Sequence, residues 1–155
     1  MSTPEQTGRA ALASLHPYPL SRLYAAGWTI HYDGPRSGFL GLTSAGPRRI
    51  DIYIRHGQSV TYTAYILAHE LGHAIDFTWG TPAGHAQYLK LRGINPSTPW
   101  FGCNYCTDFS TPAGDWAEVF ARYLTGNHNF YSKVAGAPSA AQLRAIAPLF
   151  QPPAG

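Results

Sequence analysis

The hydrophobic pattern of the chain changes its period near the middle of the sequence. Apolar and polar residues alternate over Arg49–Arg55, with three isoleucines on one face. A period of two is typical of a half-buried strand. Two further β-rich segments precede it, at 28–32 and 38–43. The short links between these segments favour an antiparallel meander, and the polar face of the third strand predicts that it lies at an exposed edge.

After the strands the pattern becomes helical. Residues 61–78 are apolar and aromatic almost all round, which predicts a largely buried helix. Asp115–Thr125 is a second clear helical segment, and Gly126 fits its carboxyl-terminal cap. Shorter helices are predicted at 9–15, 86–91 and 139–150. Together the elements predict an α+β domain, in which a small, twisted, mostly antiparallel sheet packs on the long helix and the carboxyl-terminal part is helical.

The segments outside these patterns are the amino terminus and one long connection. Residues 1–8 are polar and predict a flexible tail, so the single domain is expected to occupy 9–155. The stretch 93–114 is irregular and contains several prolines, and loops of this length are usually functional or tied down. It also holds the two cysteines, Cys103 and Cys106. A local disulfide is the leading interpretation, ahead of free thiols or a metal site.

The composition of the chain argues against nucleic-acid and membrane partners. Charged residues make up 12% of the 155 residues, against the usual ~25%. The net charge of +3 reflects a shortage of acids, since the basic residues form no stripe of the kind that binds nucleic acid. No apolar run is long enough to span a membrane. We therefore expect a monomer without a nucleic-acid or membrane partner. A secreted or extracellular location is expected, with the cytoplasm as the alternative.

The strongest chemical signal is His69-Glu70-Leu71-Gly72-His73, in the middle of the long helical segment. Residues four apart lie on one face of a helix, so the two imidazoles point the same way and can hold one zinc ion. The glutamate follows the first histidine directly, where its carboxylate can act as general base on a water at the metal. A preceding sheet and apolar flanks favour this interpretation over a chance match.

Zinc needs a third protein ligand, and the sequence restricts the choice. No histidine follows within 74–80, and both cysteines lie downstream of the motif. Glu118, on the helix at 115–125, is the one glutamate left besides Glu70 and a residue of the predicted tail. Its apolar neighbours turn it inward, where a carboxylate needs a cation. The alternative is a capping box, in which Asp115 caps the helix and Glu118 satisfies a backbone amide.

Two motifs resemble those of the gluzincin peptidases. They are His-Glu-Leu-Gly-His-Ala-Ile-Asp at 69–76 and Glu-Val-Phe-Ala at 118–121. The chain is similar over about residues 48–125 to the catalytic domains of anthrax-lethal-factor-like and Pro-Pro endopeptidase-like proteins. The resemblance implies a zincin fold and a zinc site formed by two histidines and a glutamate. The implied ligands are His69, His73 and Glu118, with Glu70 as general base.

The chain departs from the family pattern one turn after the ligand glutamate. The family has an acid there that supports a histidine, whereas this chain has Arg122. Support for the histidines is therefore expected from Asp76, from Asp115 or from a backbone carbonyl.

The chain also departs from the family pattern at the position of the residue that would stabilise the oxyanion. Tyr105 is the leading candidate, and Tyr123 and His128 are the alternatives. The predicted function is a zinc metalloendopeptidase whose peptide or protein substrate binds extended along an edge strand, Arg49–Arg55. The alternatives are a zinc-binding module without peptidase activity and a zinc hydrolase of a non-peptide amide.

Overall fold

The computed structural model describes residues 2–154. The helices are α1 (Pro4–Ser14), α2 (Leu20–Ala25), α3 (Val60–Trp79), α4 (Pro82–Arg92), α5 (Pro112–Thr125) and α6 (Ala140–Ile146). The strands are β1 (Thr29–Asp33), β2 (Gly41–Ser44) and β3 (Arg49–Tyr53), and short 3-10 helices lie at Asp108–Ser110 and Ala147–Phe150. The predicted α+β class is confirmed. Within residues 2–154, no helix combines the length and hydrophobicity needed to cross a bilayer.

The three strands form one sheet in the order β1-β3-β2. β3 pairs in parallel with β1, placing Ile30 opposite Ile50, and antiparallel with β2, placing Thr43 opposite Ile50. The predicted meander is therefore wrong. β3 is the central strand, and β1 and β2 are the edges.

Two of the three polar residues of β3, Asp51 and Tyr53, are buried with local partners, whereas Arg49 is exposed. Asp51 accepts hydrogen bonds from the guanidinium of Arg49 at 3.0 and 3.1 Å. The hydroxyl of Tyr53 accepts a hydrogen bond from Arg36 at 3.0 Å. Because each polar side chain has its own partner, the alternation along β3 does not mark a face exposed to water.

The helix α3 is the centre of the fold. It packs against the sheet and along α5. Gly72 permits the close approach of the two helices, because a Cβ at that position would lie 2.9 Å from the Cα of Ala117. The histidine motif, in the middle of α3, therefore lies between the sheet and α5.

The amino-terminal segment belongs to the domain. α1 begins at Pro4, so the predicted tail over 1–8 is wrong for most of its length; Met1 lies outside the described residues. Gly8 is buried under the ring of Tyr32, where a Cβ would overlap ring atoms. The polar sequence of this segment reflects a surface helix with one small buried face.

The helix α5 begins earlier than predicted. Thr111 is its N-cap and accepts a hydrogen bond from the backbone N–H of Gly114 at 3.0 Å. Asp115, the predicted cap, is instead fully buried and lies 2.8 Å from the guanidinium of Arg92. The alternative interpretation, a capping box with Asp115 as the cap, is therefore wrong, and Asp115 ties α5 to α4.

The long connection between α4 and α5 is tied down at two points. Cys103 and Cys106 form the predicted disulfide. The indole N–H of Trp100 donates to Asp76 at 2.7 Å, and its ring stacks on His85 with centroids 3.7 Å apart. These contacts fix the segment that leads into the candidate site.

Candidate metal centre

The two histidines of the motif point into a cleft beside the sheet. The ring centroids of His69 and His73 lie 4.9 Å apart on one face of α3. Both rings are mostly buried, and the side chain of His73 is 12% exposed. Nε2 of His69 lies 2.5 Å from Oδ2 of Asp108, and Nε2 of His73 lies 3.0 Å from Oδ1 of the same residue. Both Nε2 atoms therefore meet one carboxylate.

Asp108 reaches the histidines from the 3-10 helix that precedes α5. The hydroxyl of Thr111 donates to the backbone carbonyl of Asp108 at 2.9 Å. Gly114 leaves room for that carbonyl, because a Cβ there would overlap its oxygen. Candidate ligand atoms of His69, His73 and Asp108 all lie within 4.8 Å of one another. This group can hold a metal ion.

Glu118 contacts the opposite side of the His69 ring. Its Oε2 lies 2.7 Å from Nδ1 of His69. The hydroxyl of Tyr65 and the backbone N–H of Tyr131 each donate to Oε1 at 2.7 Å. Glu118 is fully buried in α5. The residue predicted as third ligand is thus outside the group formed around the Nε2 atoms, and it orients His69 from behind.

The protonation states of the cluster are linked. Burial by itself lowers the pKa of His69, but hydrogen bonds to Asp108 and Glu118 outweigh burial and raise that pKa to about 10. Burial favours a raised pKa for Asp108, but hydrogen bonds from His69 and His73 outweigh it and hold that pKa well below its usual range. Without a cation, a proton is therefore favoured on the His69 ring, which competes with a metal for its Nε2.

Glu70, the predicted general base, lies at the floor of the cleft beside β2. The hydroxyl of Thr43 donates to the backbone carbonyl of Glu70 at 3.0 Å and lies 3.4 Å from its Oε1. Gly41 allows the strand to approach, because a Cβ there would lie 2.8 Å from Cγ of Glu70. Burial raises the pKa of Glu70, and the charges of His69 and His73 oppose that rise.

The two acids predicted to support the histidines have other partners. Asp76 lies 2.6 Å from Nε2 of His85 and accepts the indole N–H of Trp100. Asp115 pairs with Arg92. Neither acid forms a hydrogen bond to a histidine of the motif, and the carboxylate behind His69 is that of Glu118.

The predicted oxyanion donors form no hydrogen bond to the cluster among the described residues. Tyr105 is 96% exposed. The hydroxyl of Tyr123 accepts a hydrogen bond from Gln151 at 3.2 Å, and the backbone carbonyl of His128 accepts one from Arg122. Their catalytic role stays a prediction.

Asp108 is the candidate ligand that the sequence analysis did not identify. It lies 39 positions from His69, in an irregular segment where no periodicity assigns a direction to a side chain. Two signals pointed to its neighbourhood: the cysteine pair just before it, and the small number of acids in the chain. Both fall short of identifying a ligand, because the fold of the loop decides which carboxylate meets the histidines.

The cleft continues on both sides of Glu70. A cavity of about 450 Å³ extends past His73, and one of about 290 Å³ extends past Tyr65. Gly41 lines both cavities, so β2 runs along the cleft.

No protein-family model, no curated protein and no solved structure matches the chain. The geometry of the centre and of its cleft therefore carries the functional proposal.

Proposed function

We propose that this protein is a zinc-dependent endopeptidase. The proposal rests on one observation. The Nε2 atoms of His69 and His73 both reach the carboxylate of Asp108, and Glu70 lies beside them on the floor of an open cleft. The motif alone is compatible with several hydrolases. The strand edge along the cleft favours a peptide as the substrate.

The donor set suits zinc. Catalytic zinc is held by three protein nitrogen, oxygen or sulfur ligands, with one position open to water or substrate. His69, His73 and Asp108 offer two imidazole nitrogens and a carboxylate, and the Asp108 side chain is 46% exposed towards solvent. Glu118 fixes the orientation of His69 through Nδ1, as outer carboxylates do in metal sites. We therefore assign the third ligand to Asp108 rather than to Glu118.

The remaining chemistry belongs to Glu70. A bound zinc ion would supply Lewis-acid chemistry, lowering the pKa of a water and polarising the scissile carbonyl. Glu70 takes the proton of the attacking water at its carboxylate and delivers it to the leaving amine. The hydroxyl of Thr43, 3.0 Å from the backbone carbonyl of Glu70 and 3.4 Å from its Oε1, holds this residue against β2.

The free edge of β2 suits an extended chain. The backbone N–H of Tyr53 donates to the carbonyl of Leu40 at 2.9 Å. Hydrogen-bonded pairs alternate in an antiparallel ladder, so Gly41 and Thr43 direct their backbone polar groups away from β3. Both residues line the cleft, where an extended peptide can pair with them. The binding edge is thus β2 instead of the predicted Arg49–Arg55, because β3 is covered on both sides.

A glutamate substitution tests the proposal. Zinc-loaded wild type, Glu70→Gln and the control Glu5→Gln, an exposed glutamate of α1, are incubated with casein and with a random peptide library. General acid–base catalysis contributes about 10²–10⁴-fold, so Glu70→Gln should cleave slower by that factor while it retains wild-type zinc content. Glu5→Gln should match wild type. Mass spectrometry of the products measures the rates.

The outcomes separate the alternatives. A wild-type protein that binds zinc and cleaves no peptide would contradict the proposal and favour a binding module. Activity confined to small non-peptide amides would favour the alternative of a zinc hydrolase that acts on a non-peptide amide. Wild-type protein that binds no zinc would remove the basis of all three.

A further inference from the structure

The cavity past His73 is lined by three phenylalanines that the proposed chemistry does not use. Phe77 follows His73 by one turn of α3, with ring centroids 6.4 Å apart. Phe101, from the loop before α5, stacks on Phe77 at 5.9 Å with ring planes 12° apart. Phe39 lines the same cavity from the segment before β2. We call Phe39, Phe77 and Phe101 the aromatic wall.

The aromatic wall is exposed although its residues are strongly apolar. Phe101 is 59% exposed, and the other two rings are also open to solvent. Clusters of exposed apolar side chains mark binding surfaces more often than single ones do. Because the wall adjoins the candidate centre, its occupant is expected to be part of the molecule that reaches Glu70.

The wall is held in place by the surrounding structure. Phe77 lies on the central helix. Phe101 follows Trp100, whose indole N–H is bound by Asp76 and whose carbonyl accepts the backbone N–H of Ala113 at 2.9 Å. The cavity is therefore formed before a ligand arrives, as most small-ligand sites are.

The charge of the cavity excludes acidic side chains. Its lining includes the carboxylates of Glu70 and Asp108 and no lysine or arginine among the described residues. These carboxylates repel an acidic side chain; the guanidinium of Arg36, which lies 4.3 Å from the centroid of the Phe39 ring, is not part of the lining. The faces and edges of the aromatic wall favour another aromatic ring.

The direction of β2 places this cavity relative to the scissile bond. Leu42 and Thr43 line only the cavity past His73, and Gly38 and Leu40 line only the smaller cavity. Phe39 lines both, so Phe77 and Phe101 are the wall residues specific to the first cavity. Antiparallel pairing is the more stable of the two arrangements. A peptide paired in that way runs from the Thr43 end towards the Gly38 end, so the cavity at the aromatic wall receives residues before the scissile bond.

We propose that the aromatic wall is a specificity subsite for an aromatic side chain of the substrate, on the amino-terminal side of the scissile bond. The inference rests on the proposed peptidase function. It adds the chemical class of the substrate, which neither the zinc site nor the strand edge determines.

Cleavage profiles test the selectivity. Wild type, Phe77→Ala, Phe101→Ala and the control Tyr24→Ala, an exposed aromatic residue of α2, are profiled on one random peptide library. Wild type and Tyr24→Ala should favour Phe, Tyr or Trp before the scissile bond by about 10–100-fold over Ala or Asp. Both phenylalanine variants should lose that preference through a higher KM for the peptides with an aromatic residue. Active variants with the wild-type profile would overturn the proposal.

Binding without catalysis separates this subsite from the peptidase proposal. Fluorescent peptides of one sequence, with Phe or Asp at the selected position, are titrated into Glu70→Gln and into Glu70→Gln/Phe77→Ala, and anisotropy is measured. Tighter binding of the Phe peptide, by about tenfold or more, that disappears in the double variant supports the subsite even if wild type proves inactive. Equal affinities in Glu70→Gln would overturn the subsite even if wild type cleaves casein. Equal unfolding midpoints of the two proteins exclude a folding defect.

Discussion

The two nitrogens of the His69 ring face two carboxylates in different settings. Glu118 lies in the middle of α5, is fully buried, and receives hydrogen bonds from Tyr65, from the Tyr131 backbone and from Nδ1 of His69. Asp108 lies in a short turn, has a half-exposed side chain, and meets Nε2 of His69. The same imidazole therefore has one fixed partner and one accessible partner.

The difference assigns the two carboxylates to different tasks. The oxygens of Glu118 are satisfied by protein donors, and a cation would have to displace them in a buried setting at high cost. Among residues 2–154, the Asp108 carboxylate has the two histidines as its side-chain partners, and a cation bound between these three groups would keep its charge compensated. Glu118 is thus suited to orient His69, and Asp108 is suited to bind the ion.

Substitution of Glu118 should have the largest effect on the stability of the metal-free protein. Glu118→Ala leaves the Tyr65 hydroxyl, the Tyr131 N–H and Nδ1 of His69 without an acceptor. Removing one partner of a buried charged pair costs about 3–5 kcal/mol, and urea unfolding should show a loss of that size. Glu5→Ala, which removes only an exposed ion pair with Arg9 on α1, is the control and should change stability by about 1 kcal/mol or less. A loss below about 1 kcal/mol for Glu118→Ala would contradict the role assigned to this residue.

Substitution of Gly114 should have an intermediate effect, because it disturbs the Asp108 side through packing alone. Alanine is favoured over glycine in a helix by up to about 1 kcal/mol, but a Cβ here overlaps the carbonyl oxygen of Asp108. Overpacking costs about 1–3 kcal/mol, so Gly114→Ala should be destabilising and should weaken zinc binding.

Gly46→Ala is the matched control for that experiment, since a Cβ at Gly46 meets no atom within 4 Å. Thermal unfolding of the metal-free proteins and zinc titration of each variant measure the two effects. Wild-type zinc affinity in Gly114→Ala would indicate that zinc binding does not depend on the position of Asp108.

Asp108→Asn should have the smallest effect on the free energy of unfolding and a large effect on zinc affinity. The half-exposed ion pairs of Asp108 contribute about 1 kcal/mol or less after solvent screening. Zinc affinity should fall by more than the 10–100-fold typical of outer-shell changes, and hence by more than in Glu118→Gln. Competition with a chelator measures both affinities. A larger loss in Glu118→Gln would exchange the roles of the two carboxylates.

The local parts of the site were predictable from the sequence. The spacing of His69 and His73 places both on one helix face whatever the rest of the chain does, because helical periodicity is a property of the backbone. The apolar neighbours of Glu118 correctly indicated its burial, and the spacing of Cys103 and Cys106 indicated a local disulfide. Each of these inferences depends on contacts within a few residues.

The sequence by itself therefore determined the helix that presents two imidazoles and a glutamate, and the α+β class around it. Only the tertiary structure decided which carboxylate meets Nε2, since Asp108 and Glu118 lie 39 and 49 positions from His69. Close packing of α3 on α5 at Gly72 brings Glu118 alongside Nδ1 of His69. Contact of the 3-10 helix with Gly114 brings Asp108 to Nε2 of the same ring. The sheet order was decided in the same way, because strand pairing depends on long-range partners that alternation within a strand does not specify.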